Sequence, residues 1–333
     1  MKQLVFQALA EAARKREPVA LGLISGVSGS SPQKVGAKAL FHQDGRIQGT
    51  LGGGCLEAEI QQRALQSLRT GQAESFDLVL DHDFGWDDGL ICGGKVQGVI
   101  LPNAQLAGEP FWTKLAARQS TLRWGIKRDY SIALRESQAS RSGTVDNTSD
   151  TGQASRPAGD WLYQETVNPP CALWIAGAGH IAQAVAPLAL QLDFAVTVFD
   201  DRPALANPRF FPPAVSLEAD FWERLLARPL PEGPSFGLIV TRGHRHDALV
   251  LREWIHKGFC FLGMIGSRRK ARTILEQFTQ EKIASPDVLR QVACPVGIDI
   301  RSQTVPEIAV SILAQFIDKR AELVYEKQAL PAD

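Results

Sequence analysis

The fold of the second half of this chain is decided by one stretch, Leu173-Trp174-Ile175-Ala176-Gly177-Ala178-Gly179-His180-Ile181-Ala182. A short apolar run precedes two glycines, and an apolar-periodic segment follows them, which is the strand–turn–helix order of the G-x-G-x-x-G/A turn. The glycines permit a tight turn and let a phosphate approach the N-terminus of the helix. We therefore predict a Rossmann-like sheet with a ligand site at Gly177, Gly179 and His180.

Around this turn the sequence alternates strands and helices, as expected of a doubly wound parallel sheet. Asp200 ends the next predicted strand, about 20 residues after Gly179, where an acidic residue would reach a ribose hydroxyl. Ligands of such sheets bind at the carboxyl ends of the strands. The further cofactor-binding candidates are therefore the residues that follow two later strands, namely Arg242, His244, Gly266, Ser267 and Arg268.

The first half of the chain contains two cysteines framed by glycines. They lie in Gly52-Gly53-Gly54-Cys55-Leu56-Glu57, between a predicted strand and a predicted helix, and in Ile91-Cys92-Gly93-Gly94. A thiol at a helix N-terminus is favoured as the thiolate, which is a ligand for soft metals. Cys55 and Cys92 are thus candidates for catalysis or metal binding, and the three glycines before Cys55 for cofactor binding. Glu57 is a candidate for proton transfer or a partner of the helix dipole.

Composition limits the classes of function. The chain has 333 residues, which suits two domains, and its 44% apolar and 22% charged content is ordinary for a soluble protein. Lys+Arg and Asp+Glu both total 36, so nucleic acid is not expected as a partner. The sequence has no run of about 18 apolar residues and no signal-like N-terminus. Five widely spaced cysteines argue against a disulfide framework. We therefore expect a cytoplasmic protein with no membrane partner.

We predict three regions: a mixed α/β domain over residues 1–130, a flexible linker over 131–168, and the Rossmann-like domain over 169–325. The middle region is rich in Ser, Thr, Gly and Asp and nearly devoid of large apolar groups between Ser137 and Pro157. Such a stretch buries too little surface to offset the entropy of ordering it.

Together these motifs resemble the XdhC/CoxI family, the accessory proteins for maturation of xanthine dehydrogenase and related molybdenum hydroxylases. The resemblance spans nearly the whole chain and leaves only the linker and the termini uncovered. Its segments are, in order, Gly29-Ser30-Ser31-Pro32 with Gly36-Ala37, Gly52 to Glu57, Cys92-Gly93-Gly94, Gly177 to His180, Asp200-Asp201-Arg202-Pro203, Thr241 to His244 with Asp247, Gly263 to Lys270, and Cys294-Pro295-Val296-Gly297 with Thr304 to Ser311.

The resemblance implies a CoxI-like first domain and a Rossmann-like XdhC second domain. It implies that the chain binds the molybdenum cofactor, a molybdopterin, supports its sulfuration and inserts it into a xanthine dehydrogenase-like molybdenum hydroxylase. A cysteine desulfurase is a further candidate partner, and a homodimer is the expected assembly. On this basis we expect a cofactor chaperone more than a stand-alone catalyst.

Two other classes stay open. An NAD(P)-dependent oxidoreductase would bind a dinucleotide, or another nucleotide, at the Gly177 turn and use His244 with Asp247 as an acid–base pair. A sulfurtransferase would cycle Cys55 through a persulfide.

Overall fold

The computed structural model describes residues 2–29, 33–80, 94–136 and 159–329. The chain divides into two compact units, with the boundary between Pro169 and Pro170. The first unit contains α1 (Lys2–Lys15), β1 (Val19–Ser28), β2 (Lys38–His42), β3 (Ile47–Gly49), α2 (Gly54–Thr70), β4 (Glu74–Leu80), β5 (Gly94–Leu101), a 3-10 helix (Ala104–Ala107), α3 (Glu109–Ala117), β6 (Leu122–Lys127), β7 (Ile132–Glu136) and β8 (Trp161–Val167).

The centre of the first unit is an antiparallel sheet with the strand order β3-β2-β1-β5-β4. Strand β2 and the first part of β1 are buried on both faces, because side chains alternate along a strand between two separate cores. On one face Leu21 and Leu23 of β1 pack with α1 and α3. On the other face Ala20 and Ile24 pack with α2. Helix α2 is thereby fixed against the sheet, and its first residues follow β3.

A second sheet of three strands, ordered β7-β6-β8, completes the first unit. The two ends of the predicted linker 131–168 are not flexible linker in this structure, since they form β7 and β8 and pair with β6. Residues 137–158 lie outside the described part of the chain. A buried ion pair helps to hold β8, because Lys38 Nζ lies 2.5 Å from Glu165 Oε2 with side chains 1% and 8% exposed. The indole N–H of Trp124 donates to the same oxygen at 3.1 Å.

The second unit alternates strands and helices, as predicted. It contains β9 (Cys171–Ala176), α4 (His180–Gln191), β10 (Phe194–Asp200), β11 (Ser216–Ala219), α5 (Trp222–Ala227), β12 (Ser235–Ile239), α6 (His244–Trp254), β13 (Phe261–Met264), α7 (Arg268–Gln280), α8 (Pro286–Arg290), β14 (Val292–Ala293) and α9 (Val305–Ala329).

These strands form one parallel sheet with the order β11-β10-β9-β12-β13-β14. Numbered from β9, this is the order 3-2-1-4-5-6 of the Rossmann fold, and the strand order reverses between β9 and β12. Leu173 and Ile175 face a core shared with α4 and α9, while Trp174 and Ala176 face the core on the side of α5, α6 and α7. Helices therefore cover both faces, and the predicted fold class is confirmed for both halves of the chain.

Candidate functional site

The first candidate site is the thiol turn, residues 51–57, which leads from the sheet of the first unit into α2. Gly52, Gly53 and Gly54 have φ values of +118°, +73° and +59°. L-residues rarely adopt such values, so this backbone path requires glycine at successive positions. Cys55 is the second residue of α2 and is half-buried, and Gly53 before the helix provides no side-chain cap. The turn thus presents a thiol at a helix N-terminus, as the sequence predicts.

The side chain of Glu57 binds back to the residues that begin the thiol turn. Its Oε2 atom accepts hydrogen bonds from Leu51 N at 2.7 Å and from Thr50 Oγ1 at 2.9 Å. Thr50 Oγ1 in turn accepts from Gly52 N at 3.0 Å. These contacts give Glu57 a positioning task within the turn, and its proton-transfer role stays a prediction.

The remaining cysteines differ in accessibility. Cys92, the second predicted thiol, lies outside the described residues. Cys171 is buried, and burial is the main cause that raises the pKa of its thiol to about 12, which keeps it protonated and inert. Cys260 is exposed and Cys294 is half-buried. Within the described ranges no three His, Cys, Asp or Glu side chains converge as a metal site.

The second candidate site is the switch-point turn, residues 177–180, between β9 and α4. A Cβ atom on Gly177, which has a φ of +111°, would lie 2.4 Å from Val240 O and 2.7 Å from Val240 C. The turn therefore packs directly against the backbone that follows β12. At Gly179 a Cβ atom would meet no atom of the described residues within 4 Å, the adjoining chain apart. Helix α4 begins at His180, which is exposed, and has no side-chain cap at Gly179.

Asp200 differs from its prediction as a ribose ligand, because its carboxylate faces the protein. The residue is 1% exposed. Oδ2 accepts from Ala178 N at 2.7 Å and from Arg202 Nη2 at 2.9 Å, and Oδ1 accepts from Arg202 N at 3.0 Å and Nε at 2.8 Å. Burial alone would raise the pKa of Asp200, but the hydrogen bonds from Arg202 and Ala178 outweigh it and lower that pKa. Asp200 therefore anchors the switch-point turn.

Charged residues also follow β12, on the other side of the switch-point turn. Arg242 Nη2 lies 2.8 Å from Asp201 Oδ2 and 3.0 Å from His246 Nε2. His244 is exposed at the first position of α6. Asp247, its predicted acid–base partner, is fully buried and accepts from Thr241 N at 3.1 Å and from Thr241 Oγ1 at 2.6 Å. Asp247 thus fixes the start of α6.

The third predicted group follows β13, the neighbour of β12. Gly266 is half-buried, Ser267 and Arg268 are exposed, and α7 begins at Arg268. The carboxyl edge of the sheet therefore brings together the starts of α4, α6 and α7, as predicted from the strand order. Sequence reasoning missed the individual roles of Asp201 and Arg202, although both belong to the quoted segment Asp200-Asp201-Arg202-Pro203.

Strand order, glycine turn and thiol turn define a Rossmann-type domain preceded by an antiparallel α/β domain that presents a cysteine. The chain belongs to the XdhC and CoxI family: the model described as the XdhC and CoxI family matches residues 12–81, and the model of the XdhC Rossmann domain matches residues 173–316. No described helix has the length and apolarity needed to cross a membrane.

Relatives match over most of the chain. A probable xanthine dehydrogenase subunit from Bacillus subtilis is 26% identical, over 92% of this chain and 94% of its own length. The molybdenum cofactor insertion chaperone PaoD from Escherichia coli is 24% identical, over 88% of this chain and 81% of its own. A crystal structure described as a xanthine dehydrogenase from Bacillus halodurans shares the fold, with a TM-score of 0.77, 24% identity, and coverage of 95% of this chain and 96% of that one.

Proposed function

We propose that this chain is a maturation factor that carries the molybdenum cofactor and inserts it into a xanthine dehydrogenase-type molybdenum hydroxylase. The observation that carries the proposal is Cys55, a partly accessible thiol at the start of α2, presented by three glycines with positive φ. Family membership supports it, as do the relatives whose names refer to xanthine dehydrogenase and to cofactor insertion.

The thiol turn suits a bulky, soft-metal cargo. Among the described residues, no atom apart from the adjoining chain lies within 4 Å of a Cβ built on Gly53 or Gly54, so these residues leave the backbone open to a large ligand. A thiolate is a ligand for a soft metal centre. The described residues around Cys55 form no closed metal site.

The second unit offers a separate candidate site for an anion such as a phosphate group. Gly179 leaves open space at the start of α4, and the exposed His180, His244 and Arg268 stand at three helix N-termini on one edge of the sheet. Helix N-termini and basic side chains both favour an anion. Arg242, Gly266 and Ser267 belong to the same edge.

Support for sulfuration of the cofactor is the finer part of the proposal. The same accessible thiol, Cys55, would carry the sulfur as a persulfide, and a cysteine desulfurase is the donor that such a step requires. This part is tested by its own measurement, since sulfur uptake is read as persulfide on the Cys55 thiol and cofactor binding as pterin content.

The test uses protein purified without oxygen from a host that makes the molybdenum cofactor. Acid and iodine convert bound molybdopterin to a fluorescent oxidised pterin, which is quantified per chain. We expect a stoichiometric pterin signal in the wild type and its loss in Cys55→Ala. Cys260→Ala is the matched control, since it removes an exposed thiol of the second unit. Absence of pterin from the wild type, with the cofactor pathway overexpressed, would refute the proposal.

A further inference from the structure

We infer that the pairing of Asp200 with Arg202 makes the switch-point crevice of the second unit reject dinucleotides such as NAD, and that Arg202 is the residue that determines this specificity. The inference goes beyond the proposed function and does not depend on it, because it concerns recognition by the second unit alone. It bears on the choice between a cofactor carrier and a nicotinamide-dependent oxidoreductase.

The acceptor sites of the Asp200 carboxylate are all occupied. In dinucleotide-binding sheets of this strand order, an acidic residue at the end of the second strand accepts hydrogen bonds from a ribose. Asp200 occupies that position, at the end of β10. An ionised carboxylate has about four lone-pair sites. Asp200 accepts four donors, one from Ala178 and three from Arg202, two on each oxygen. No acceptor site is left for a ribose hydroxyl.

The carboxylate of Asp200 is also shielded from an approaching ligand. The Asp200 side chain is 1% exposed, whereas the Arg202 side chain that binds it is 33% exposed. The guanidinium of Arg202 meets the carboxylate with Nε on one oxygen and Nη2 on the other, the fork geometry of a strong bidentate pair. A ribose that approached β10 would meet this guanidinium and not the carboxylate. The crevice therefore rejects a ribose for two reasons: the carboxylate of Asp200 has no acceptor site left, and the guanidinium of Arg202 covers it.

The neighbouring acid, Asp201, is engaged as well. Its Oδ2 atom lies 2.8 Å from Arg242 Nη2, and its Oδ1 atom lies 3.9 Å from Arg202 Nε. Since Asp201 follows β10 and Arg242 follows β12, this ion pair crosses the end of β9, which lies between those two strands. Both acids that could take a ribose are thus paired with an arginine.

The inference yields a gain-of-binding prediction. In Arg202→Ala the main-chain N–H groups of residues 178 and 202 still donate, one to each oxygen, so each oxygen regains one acceptor site. Two open sites on one carboxylate match the two hydroxyls of a ribose. The experiment titrates the full-length chain with NADH and follows the NADH fluorescence. In the wild type we expect no saturable binding up to about 1 mM, and in Arg202→Ala a Kd below about 0.1 mM, at least tenfold tighter.

Two further variants keep the test decisive. Arg209→Ala removes an exposed guanidinium from the same loop, one that stacks near Phe210, and should leave NADH binding absent. Arg202→Ser replaces the alanine variant if that protein does not show the wild-type circular dichroism spectrum. Saturable NADH binding by the wild type would overturn the inference. So would folded Arg202 variants that do not bind, or a gain of equal size in Arg209→Ala. Pterin content, measured on the same preparations, reports separately on the proposed function.

Discussion

The thiol turn and the switch-point turn have the same construction but different surroundings. Each joins a strand to a helix whose glycine N-cap provides no side-chain hydrogen bond, and in each an acidic side chain binds a main-chain N–H of the turn, Glu57 that of Leu51 and Asp200 that of Ala178. In the thiol turn, glycine is needed for backbone conformation, while no described atom beyond the adjoining chain lies within 4 Å of a Cβ built on Gly53 or Gly54. In the switch-point turn, Gly177 is needed because the backbone that follows β12 lies against it.

This difference separates two functions of glycine-rich turns. The thiol turn places the half-buried Cys55 at the start of α2, and its glycines meet no described atom beyond the adjoining chain within 4 Å at Gly53 and Gly54. The switch-point turn lies at the edge of a sheet, and Gly177 lets it approach the backbone that follows β12. A shared glycine-rich sequence pattern therefore predicts a strand-to-helix turn in both places but not the chemistry of either.

The largest expected effect comes from alanine substitution at the crowded glycine. Gly177→Ala would place a Cβ atom 2.4 Å from Val240 O at a φ of +111°, and backbone cannot yield as a flexible side chain does. We expect a loss of about 3 kcal/mol or more in the unfolding free energy. Scanning calorimetry should show this as a lower Tm for the second unit, by roughly 2–4 °C per kcal/mol.

Gly54→Ala is the matched comparison in the thiol turn. The added methyl group meets no described atom beyond the adjoining chain within 4 Å, so we expect the positive φ to be its main cost, at about 1 kcal/mol. If Gly177→Ala and Gly54→Ala lost the same unfolding free energy, then crowding at Gly177 would not be the main cost, and the distinction between the two turns would be wrong. Hydrogen exchange of β9 and of α2 would assign each loss to its unit.

The second effect concerns the carboxylate that anchors the switch-point turn. Asp200→Asn replaces an acceptor of four donors by an amide that cannot accept them all, so we expect a loss of about 2 kcal/mol at pH 7. The pKa of Asp200 in the folded chain lies below the ordinary value of 3.8. Its contribution is therefore present above that value and is lost as the pH falls through the folded pKa.

The measurement is the unfolding free energy in urea as a function of pH. The difference between wild type and Asp200→Asn should be constant near neutrality and should narrow as the pH falls below about 4, the ordinary range of an aspartate, and on through the lower folded pKa. Asp220→Asn is a suitable control, because Asp220 lies in the same unit and forms an exposed pair with Arg224, whose contribution is expected to be small. A difference that stays constant down to the acid limit would show that the charge of Asp200 does not stabilise the fold.

The sequence predicts most of the features that depend on local residue patterns, namely helices, strands and turns. The alternation of strands and helices in the second unit and both strand-to-helix glycine turns follow from periodicity and glycine placement, and the structure contains both. The pairing of β6 with β8 was missed, because its partners are separated by a polar segment and the ion pair Lys38–Glu165 joins distant positions. Composition locates the polar segment but not the strands at its ends.

The sequence predicts where along the fold the candidate site residues lie, but not which atoms their side chains contact. Strand order brings Gly177, Arg242 and Arg268 to one edge of the sheet, and this could be argued from the sequence. The orientation of Asp200 could not, because an aspartate at a strand end can face a ligand or its own turn. Arg202, two residues later, was the available signal, since a guanidinium at that distance can bind the carboxylate. Whether it does so depends on local backbone geometry.

The smallest expected effect returns to the thiol turn and tests the role of Glu57. If Glu57 only holds the turn, Glu57→Gln retains a side-chain oxygen for Leu51 N and Thr50 Oγ1 and should keep its stability within about 0.5 kcal/mol. Glu57→Ala removes that acceptor and should lose about 1 kcal/mol. Urea unfolding of the first unit measures both changes in stability.

Pterin content then separates a positioning role of Glu57 from a role in proton transfer. A positioning role predicts that the glutamine variant carries as much pterin as the wild type. A glutamine variant that is stable but has lost its pterin would show that the ionisable carboxyl, and not the hydrogen bond, is what the thiol turn requires.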